Sequence, residues 1–171
     1  MQNIAIRPAK ISDIPAIYDI TREAFSKYAH DLGKPEKVKA LKDNEDTILR
    51  DMNEKNILIG ELNGRVSGAI RYEIIDGVAY FSRFSVKLFA QNCGLGRALV
   101  QEVIKRARQA GCRAVALHTS SRMASLIRFY YSLGFFVHSV NTAHEYYRAL
   151  LIRELIYSAE CIDYAALFTD K

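Results

Sequence analysis

The chain has 171 residues, half of them apolar and a quarter charged, which suits one domain with a sizeable buried core and leaves little room for two. Its formal net charge of +5 favours anionic partners without choosing among nucleic acid, a membrane surface and a small anion, because a long-range field reports sign and not chemistry. No charged leader precedes an apolar run in the opening residues, and no stretch approaches the ~18 apolar residues of a membrane span, so a cytoplasmic protein with no membrane partner is expected.

In chain order, residues 4–7 read as a strand. Ser12 or Asp13 then caps a helix with Pro15 in its first turn and Ile14, Ile17, Ile20, Ala24 and Phe25 on its inner face, ending near Tyr28. A polar stretch over 30–35 leads to a second helical region, with Val38, Leu41, Ile48, Leu49 and Met52 in helical spacing and a break at Asp43-Asn44-Glu45. Three strands follow, 57–62, 65–75 and 78–86, joined by Asn63-Gly64 and Asp76-Gly77, the dipeptides that a two-residue hairpin with positive φ at both positions demands. A helix over 94–110 ends at Gly111, a strand over 112–119 follows, and the strand-helix-strand series makes a parallel, right-handed unit. A helix over 123–133 stops at Gly134, and strands over 135–140 and 144–152 close the sheet, leaving 156–171 as a tail or short helix after a domain spanning 1–155. The predicted fold is α/β, with a mixed, mostly antiparallel sheet flanked by helices.

Chemistry enters at Gly94-Leu95-Gly96. Small residues ahead of a helix let backbone N–H groups approach an anion at the positive end of the helix dipole, and the same pair could equally serve only to turn the chain. The third glycine of a dinucleotide fingerprint is missing, as is the Gly-Lys-Ser/Thr of a P-loop. Cys93, Cys112 and Cys161 form no CxxC pair and have no nearby histidine, so neither a disulfide framework nor a metal site is expected. A helix start can activate a thiol, which makes Cys93 the cysteine expected to alkylate first.

Val86 followed by Gln91-x-x-Gly94-x-Gly96 resembles the Gln/Arg-x-x-Gly-x-Gly/Ala signature of the GCN5-related N-acetyltransferases. Phe129-Tyr130-Tyr131-Ser132-Leu133-Gly134-Phe135 resembles that family's second landmark, and the order of elements from residue 4 to about 152 is similar to its whole acyl-CoA N-acyltransferase-like fold. Asn92 stands where the family usually has glycine and Leu88 near its usual proline, while Met123 and Leu126 replace a common Asn and Ala.

The resemblance implies acetyl-CoA as co-substrate and an amine as acceptor. Phe84, Ser85 and Val86 would pair with the pantetheine arm, and the Val86 amide would polarise the thioester carbonyl. Gln91, Asn92, Cys93, Gly94, Leu95, Gly96 and Arg97 would cradle the pyrophosphate, bound where the strands ending near Val86 and Ser120 part. Tyr130 resembles the tyrosine beside the coenzyme sulfur, and a phenol with an ordinary pKa of about 10 can protonate a departing thiolate; a packed core aromatic is the alternative reading. Members with a strand-borne glutamate would place it near Tyr80, where this chain has no carboxylate. Counting through the Asp76-Gly77 turn sets Glu73 opposite Tyr80, a pair able to relay a proton through water, or simply a solvated strand pair. His118 is a reserve base, and Arg97, Arg122 and Arg128 are candidate phosphate contacts.

The acceptor is expected over residues 28–35 and the turn 141–145. Two other classes stay open: an acyl-CoA-binding regulator without turnover, and a basic nucleic-acid module. The latter is disfavoured because Lys and Arg are dispersed without an aromatic-basic motif. The amine itself, small molecule or peptide, is not encoded legibly, and neither is the oligomeric state, for which a homodimer is one option.

Overall fold

A computed structural model describes residues 2–143, 146–157, 161–169 and 171. The elements run β1 (Ile4–Pro8), α1 (Ile14–Leu32), α2 (Glu45–Glu54), β2 (Asn56–Leu62), β3 (Arg65–Ile75), β4 (Val78–Val86), α3 (Leu95–Gln109), β5 (Ala114–Ser120), α4 (Ala124–Tyr131), β6 (Phe136–Asn141) and β7 (Arg148–Glu154). The sheet has seven strands in the order β1-β2-β3-β4-β5-β7-β6. β4 and β5 are parallel, and β1–β2, β2–β3, β5–β7 and β6–β7 are antiparallel, so the mixed sheet expected from the sequence is present. Among the described residues no helix is long and apolar enough to cross a membrane.

Contacts divide the chain into two units, Met1–Glu73 with Ser82–Val103, and Ile74–Phe81 with Ile104–Lys171. In the first, alternate strand residues Ile57, Ile59 and Ala69 meet Ile14, Ile17 and Ile48 of α1 and α2 in one apolar cluster, as the two-residue period of a strand requires. Two glycines, Gly60 on β2 and Gly68 on β3, leave space for α3. A Cβ at Gly60 would stand 2.8 Å from Leu95 Cδ1, and one at Gly68 2.8 Å from Leu99 Cδ1. Both leucines are wholly buried, so α3 can lie this close only because those strand positions lack side chains.

In the second unit Val78, Tyr80, Ala114, Ala116, Leu150 and Ile152 form a cluster completed by Tyr164 and Phe168 of a 3₁₀ turn, Tyr164–Phe168. The segment after Leu155 therefore contains a short helix that buries two aromatic side chains.

Several boundaries differ from expectation. α1 continues to Leu32, past Tyr28: a Lys27–Asp31 pair at 2.6 Å supports its last turn, and Gly33 at φ 71 closes it. The expected break at residues 43–45 is present, with a 3₁₀ turn, Lys39–Lys42, before it and Asn44 capping α2 through Thr47 N–H at 2.8 Å. The last strand is Arg148–Glu154, and the expected start at His144 lies outside the described residues.

Candidate active site

Within the first unit the loop after β4 has the backbone of an anion seat. Gly94 sits at φ 92, and Asn92 at φ 63 takes the left-handed conformation that glycine would otherwise supply, which accounts for an asparagine where the resembling signature has glycine. The first hydrogen bond of α3 runs from Ala98 N–H to Gly94 O at 3.0 Å. The N–H groups ahead of Ala98 precede that ladder and belong to the set that a helix start offers to anions. A Cβ on Gly96 would meet Phe84 Cζ at 3.1 Å and Val86 Cγ2 at 3.6 Å, so this glycine brings the helix start against residues 84–86. Cys93 donates its thiol hydrogen to Ala90 O at 2.8 Å and is half-buried, whereas Cys161 is exposed. The geometry thus favours Cys161, not Cys93, as the first to alkylate.

The strand end is held by a backbone hydrogen bond, by Gln91 and by charged side chains that the sequence reading did not single out. Lys87 N–H donates to Ser67 O at 2.8 Å, and Gln91 Nε2 donates to Val86 O at 3.3 Å. Lys87 Nζ reaches Asp19 Oδ2 at 2.5 Å and Glu23 Oε2 at 2.7 Å, and Glu23 Oε1 accepts from Leu88 N–H at 2.7 Å. The Lys87 hydrogen bond, then that of Leu88, holds the Glu23 carboxyl below its usual range. Burial works against the Lys87 ammonium, but its two carboxylate partners outweigh it and raise its pKa. Asp19 and Glu23 are one helical turn apart on α1, a spacing that suits a shared cation and was the available sequence signal.

The second unit holds the aromatic groups. Tyr130, on the last turn of α4, is 4% exposed. Its ring lies 6.1 Å from Phe81 and 5.8 Å from Phe135, centroid to centroid, and its carbonyl accepts from Leu133 and Phe135 N–H in the turn that Gly134 closes at φ 82. Tyr80 is on the other face of β4, as adjacent strand residues must be. Its hydroxyl is 3.0 Å from His118 Nδ1, and its ring packs 4.9 Å from Phe168. β4 and β5 pair through Val78–Ala114, Ala79–Val115 and Tyr80–Ala116, which brings Tyr80 and His118 onto neighbouring strands. The structure thus unites Tyr80 with the reserve candidate His118.

Glu73 is half-buried near the end of β3, and the turn from which its pairing was counted has positive φ at both Asp76 (47) and Gly77 (75). Arg122 stacks on Tyr147 at 4.6 Å, Arg97 is exposed on α3, and Arg128 is on α4. Of the two acceptor segments, residues 28–32 belong to α1 and residue 35 opens a 3₁₀ turn, whereas His144 and Glu145 of the turn 141–145 lie outside the described residues.

The profile of the acetyltransferase (GNAT) family matches residues 14–135, and the chain belongs to that family. It is 35% identical over 86 residues to an L-methionine sulfoximine/L-methionine sulfone acetyltransferase of Salmonella typhimurium, covering 47% of this chain and 50% of that protein. The chain thus spans about half the length of that curated relative.

Its fold is similar to that of the PaiA N-acetyltransferase of Thermoplasma acidophilum, solved in complex with coenzyme A. There the TM-score is 0.79 at 19% identity, with 89% of this chain and 99% of that one covered. It is also similar to the ribosomal-protein-S18-alanine N-acetyltransferase of Escherichia coli, with a TM-score of 0.73 at 20% identity over 94% and 99% of the two chains.

Proposed function

We propose that this chain moves the acetyl group of acetyl-CoA to a primary amine carried by a small molecule or a peptide. The observation that carries the reading is the loop over 91–97, where Asn92 and Gly94 are left-handed and Gly96 admits the start of α3 beside Phe84 and Val86. That arrangement supplies closely spaced N–H donors of the kind a pyrophosphate requires. Coenzyme A in the PaiA structure supports the choice of anion. The relatives' names range from an amino-acid analogue to a protein alanine, so the acceptor class stays broad.

In this reading Phe84, Ser85 and Val86 offer backbone groups to the pantetheine arm, and the Val86 N–H donates to the thioester oxygen as negative charge grows on it. The amine nitrogen forms a bond to the carbonyl carbon, the carbon–sulfur bond breaks, and Tyr130 gives its proton to the departing sulfur. The proton shed by the amine goes to the Tyr80–His118 pair. Its 3.0 Å hydrogen bond makes it a more direct acceptor than a relay through water to Glu73, and an imidazole titrates in the right range. Tyr130 packs with Phe81 and Tyr80 with His118, on opposite faces of β4, so separate groups handle the two protons. The proposal places the reaction in the cytoplasm, in keeping with unpaired cysteines.

The test is incubation of the protein with acetyl-CoA and a panel of amino acids, polyamines and peptides, followed by mass analysis. An acetylated amine supports the reading. Coenzyme binding without product from any amine would make the chain an acyl-CoA-binding regulator instead.

A further inference from the structure

Four non-glycine residues among those described have positive φ: Asn63, Asp76, Arg83 and Asn92. Three are the Asn and Asp types that tolerate this conformation, and they stand in hairpin turns or the loop before α3. Arg83, at φ 51, stands inside β4 and carries a long side chain. A left-handed residue with a Cβ is disfavoured and persists only where its surroundings impose it. In a strand it bends the chain and re-aims the residues that follow, here 84–86.

The surroundings that impose it are visible. Asp43, between the Lys39–Lys42 turn and the Asn44 cap of α2, takes the Arg83 guanidinium on both oxygens, from Nε at 2.8 Å and Nη2 at 3.1 Å. The same carboxylate accepts from Arg71 Nη1 at 2.9 Å, and Arg71, 1% exposed, also donates to Asp51 Oδ2 at 2.5 Å. Asp51 is further paired with Lys55 at 3.2 Å. Arg71 Nε and Nη2 are buried with no protein hydrogen-bond partner among the described residues. At the backbone, Ser85 Oγ donates to Arg83 O at 3.2 Å. An ordinary partly exposed ion pair contributes little, but this one grips a residue whose backbone needs holding.

We infer that Asp43 is a positioning residue: its two-oxygen grip on Arg83, braced by Arg71, holds the left-handed bend of β4 and so presents residues 84–86 to the coenzyme. The inference rests on the reading of 84–86 as the coenzyme strand. Asp43 reaches the reaction only through Arg83.

Glycine takes positive φ without strain whereas alanine does not, and that difference gives the test. Coenzyme A affinity is measured by calorimetry on the full chain. Arg83→Ala, which removes the grip and keeps the Cβ, should bind about tenfold more weakly than the parent, and Arg83→Gly should bind at least about fivefold more tightly than Arg83→Ala. Asp43→Asn should cost about tenfold alone and under about twofold in the Arg83→Gly background. If Arg83 merely stiffened the strand, glycine would be the worse replacement. Equal or weaker binding by Arg83→Gly than by Arg83→Ala overturns the inference, and so does the same Asp43→Asn loss in both backgrounds. The two Arg83 variants carry the test if Asp43→Asn does not fold. Gly96→Val separates the two levels. Unchanged affinity there overturns the coenzyme-strand reading itself, whereas lost affinity alongside indistinguishable Arg83 variants overturns the grip alone.

Discussion

The loop before α3 and the aromatic patch split between the two faces of β4, Tyr130 on one and Tyr80 on the other, are built from different materials. The loop is backbone: its proposed donors are N–H groups, its shape comes from left-handed residues at 92 and 94, and every part lies within a few residues in sequence. The patch is side chain: Tyr80 and His118 are 38 residues apart in sequence, and Phe168 reaches Tyr80 from far along the chain. A backbone site is specified by local conformational preference, whereas a side-chain site exists only once the sheet has formed. The two should therefore fail differently, the loop losing affinity when a Cβ is added and the patch losing rate when a polar atom is removed.

The sharpest test of that contrast is Tyr130→Phe. It deletes one oxygen from a packed ring, and turnover should fall about 10²- to 10⁴-fold while coenzyme affinity stays near normal, provided chemistry limits the rate. Turnover near the parent value would reduce Tyr130 to a core aromatic. The counterpart in the loop, Gly96→Val, should abolish the rise in melting temperature that coenzyme A produces, because only a ligand bound to the folded state shifts its stability. Persistence of that rise would remove the assigned seat.

A smaller effect distinguishes the two proton acceptors. His118→Gln should depress the rate about 10- to 100-fold near neutral pH, with the loss shrinking as pH rises and free amine accumulates, whereas Glu73→Gln should cost under about threefold. The reverse ranking would return the base to Glu73.

The smallest effect concerns neither region and tests whether both are insulated from remote damage. Asp13 accepts two hydrogen bonds from Arg7, at 2.7 and 2.8 Å, and Arg7 foremost holds its carboxyl below the ordinary value of 3.8. A lowered pKa adds stability that is fully present above 3.8 and is lost as pH falls through the folded value. Asp13→Asn should accordingly lower stability by roughly 2 kcal/mol, or about 4–8 °C in melting temperature, at pH 7. The difference from the parent should close in acid, with coenzyme affinity unaltered where both proteins are folded. A gap that widens in acid would contradict the assigned ion pair.

The sequence revealed most where local chemistry decides. Asn63-Gly64 and Asp76-Gly77 set the limits of β3 and β4 to the residue because few other dipeptides take positive φ twice. The backbone of the loop over 91–97 was readable for the same reason, and the departure at Asn92 resolves into the same left-handed conformation. The end of α1 was misplaced because polar residues after Tyr28 look like a loop until Gly33 is seen as the actual stop. Asp43, Arg71 and Arg83 were invisible as a group, since charged residues scattered over forty positions read as solvated surface. His118 was named only as a reserve base, because its partner Tyr80 becomes evident only when β4 and β5 lie side by side.

Gly60 and Gly68 set a limit on how this protein can be improved. Strand glycines are the usual first choice for stabilising replacement, and valine at either position would raise intrinsic strand preference. Here the added atoms would collide with Leu95 and Leu99, the two residues that anchor the first turns of α3. A variant selected for heat resistance at these sites would lift that helix away from the sheet and carry the loop before it along, so sturdiness at 60 or 68 would come at the expense of the proposed coenzyme seat.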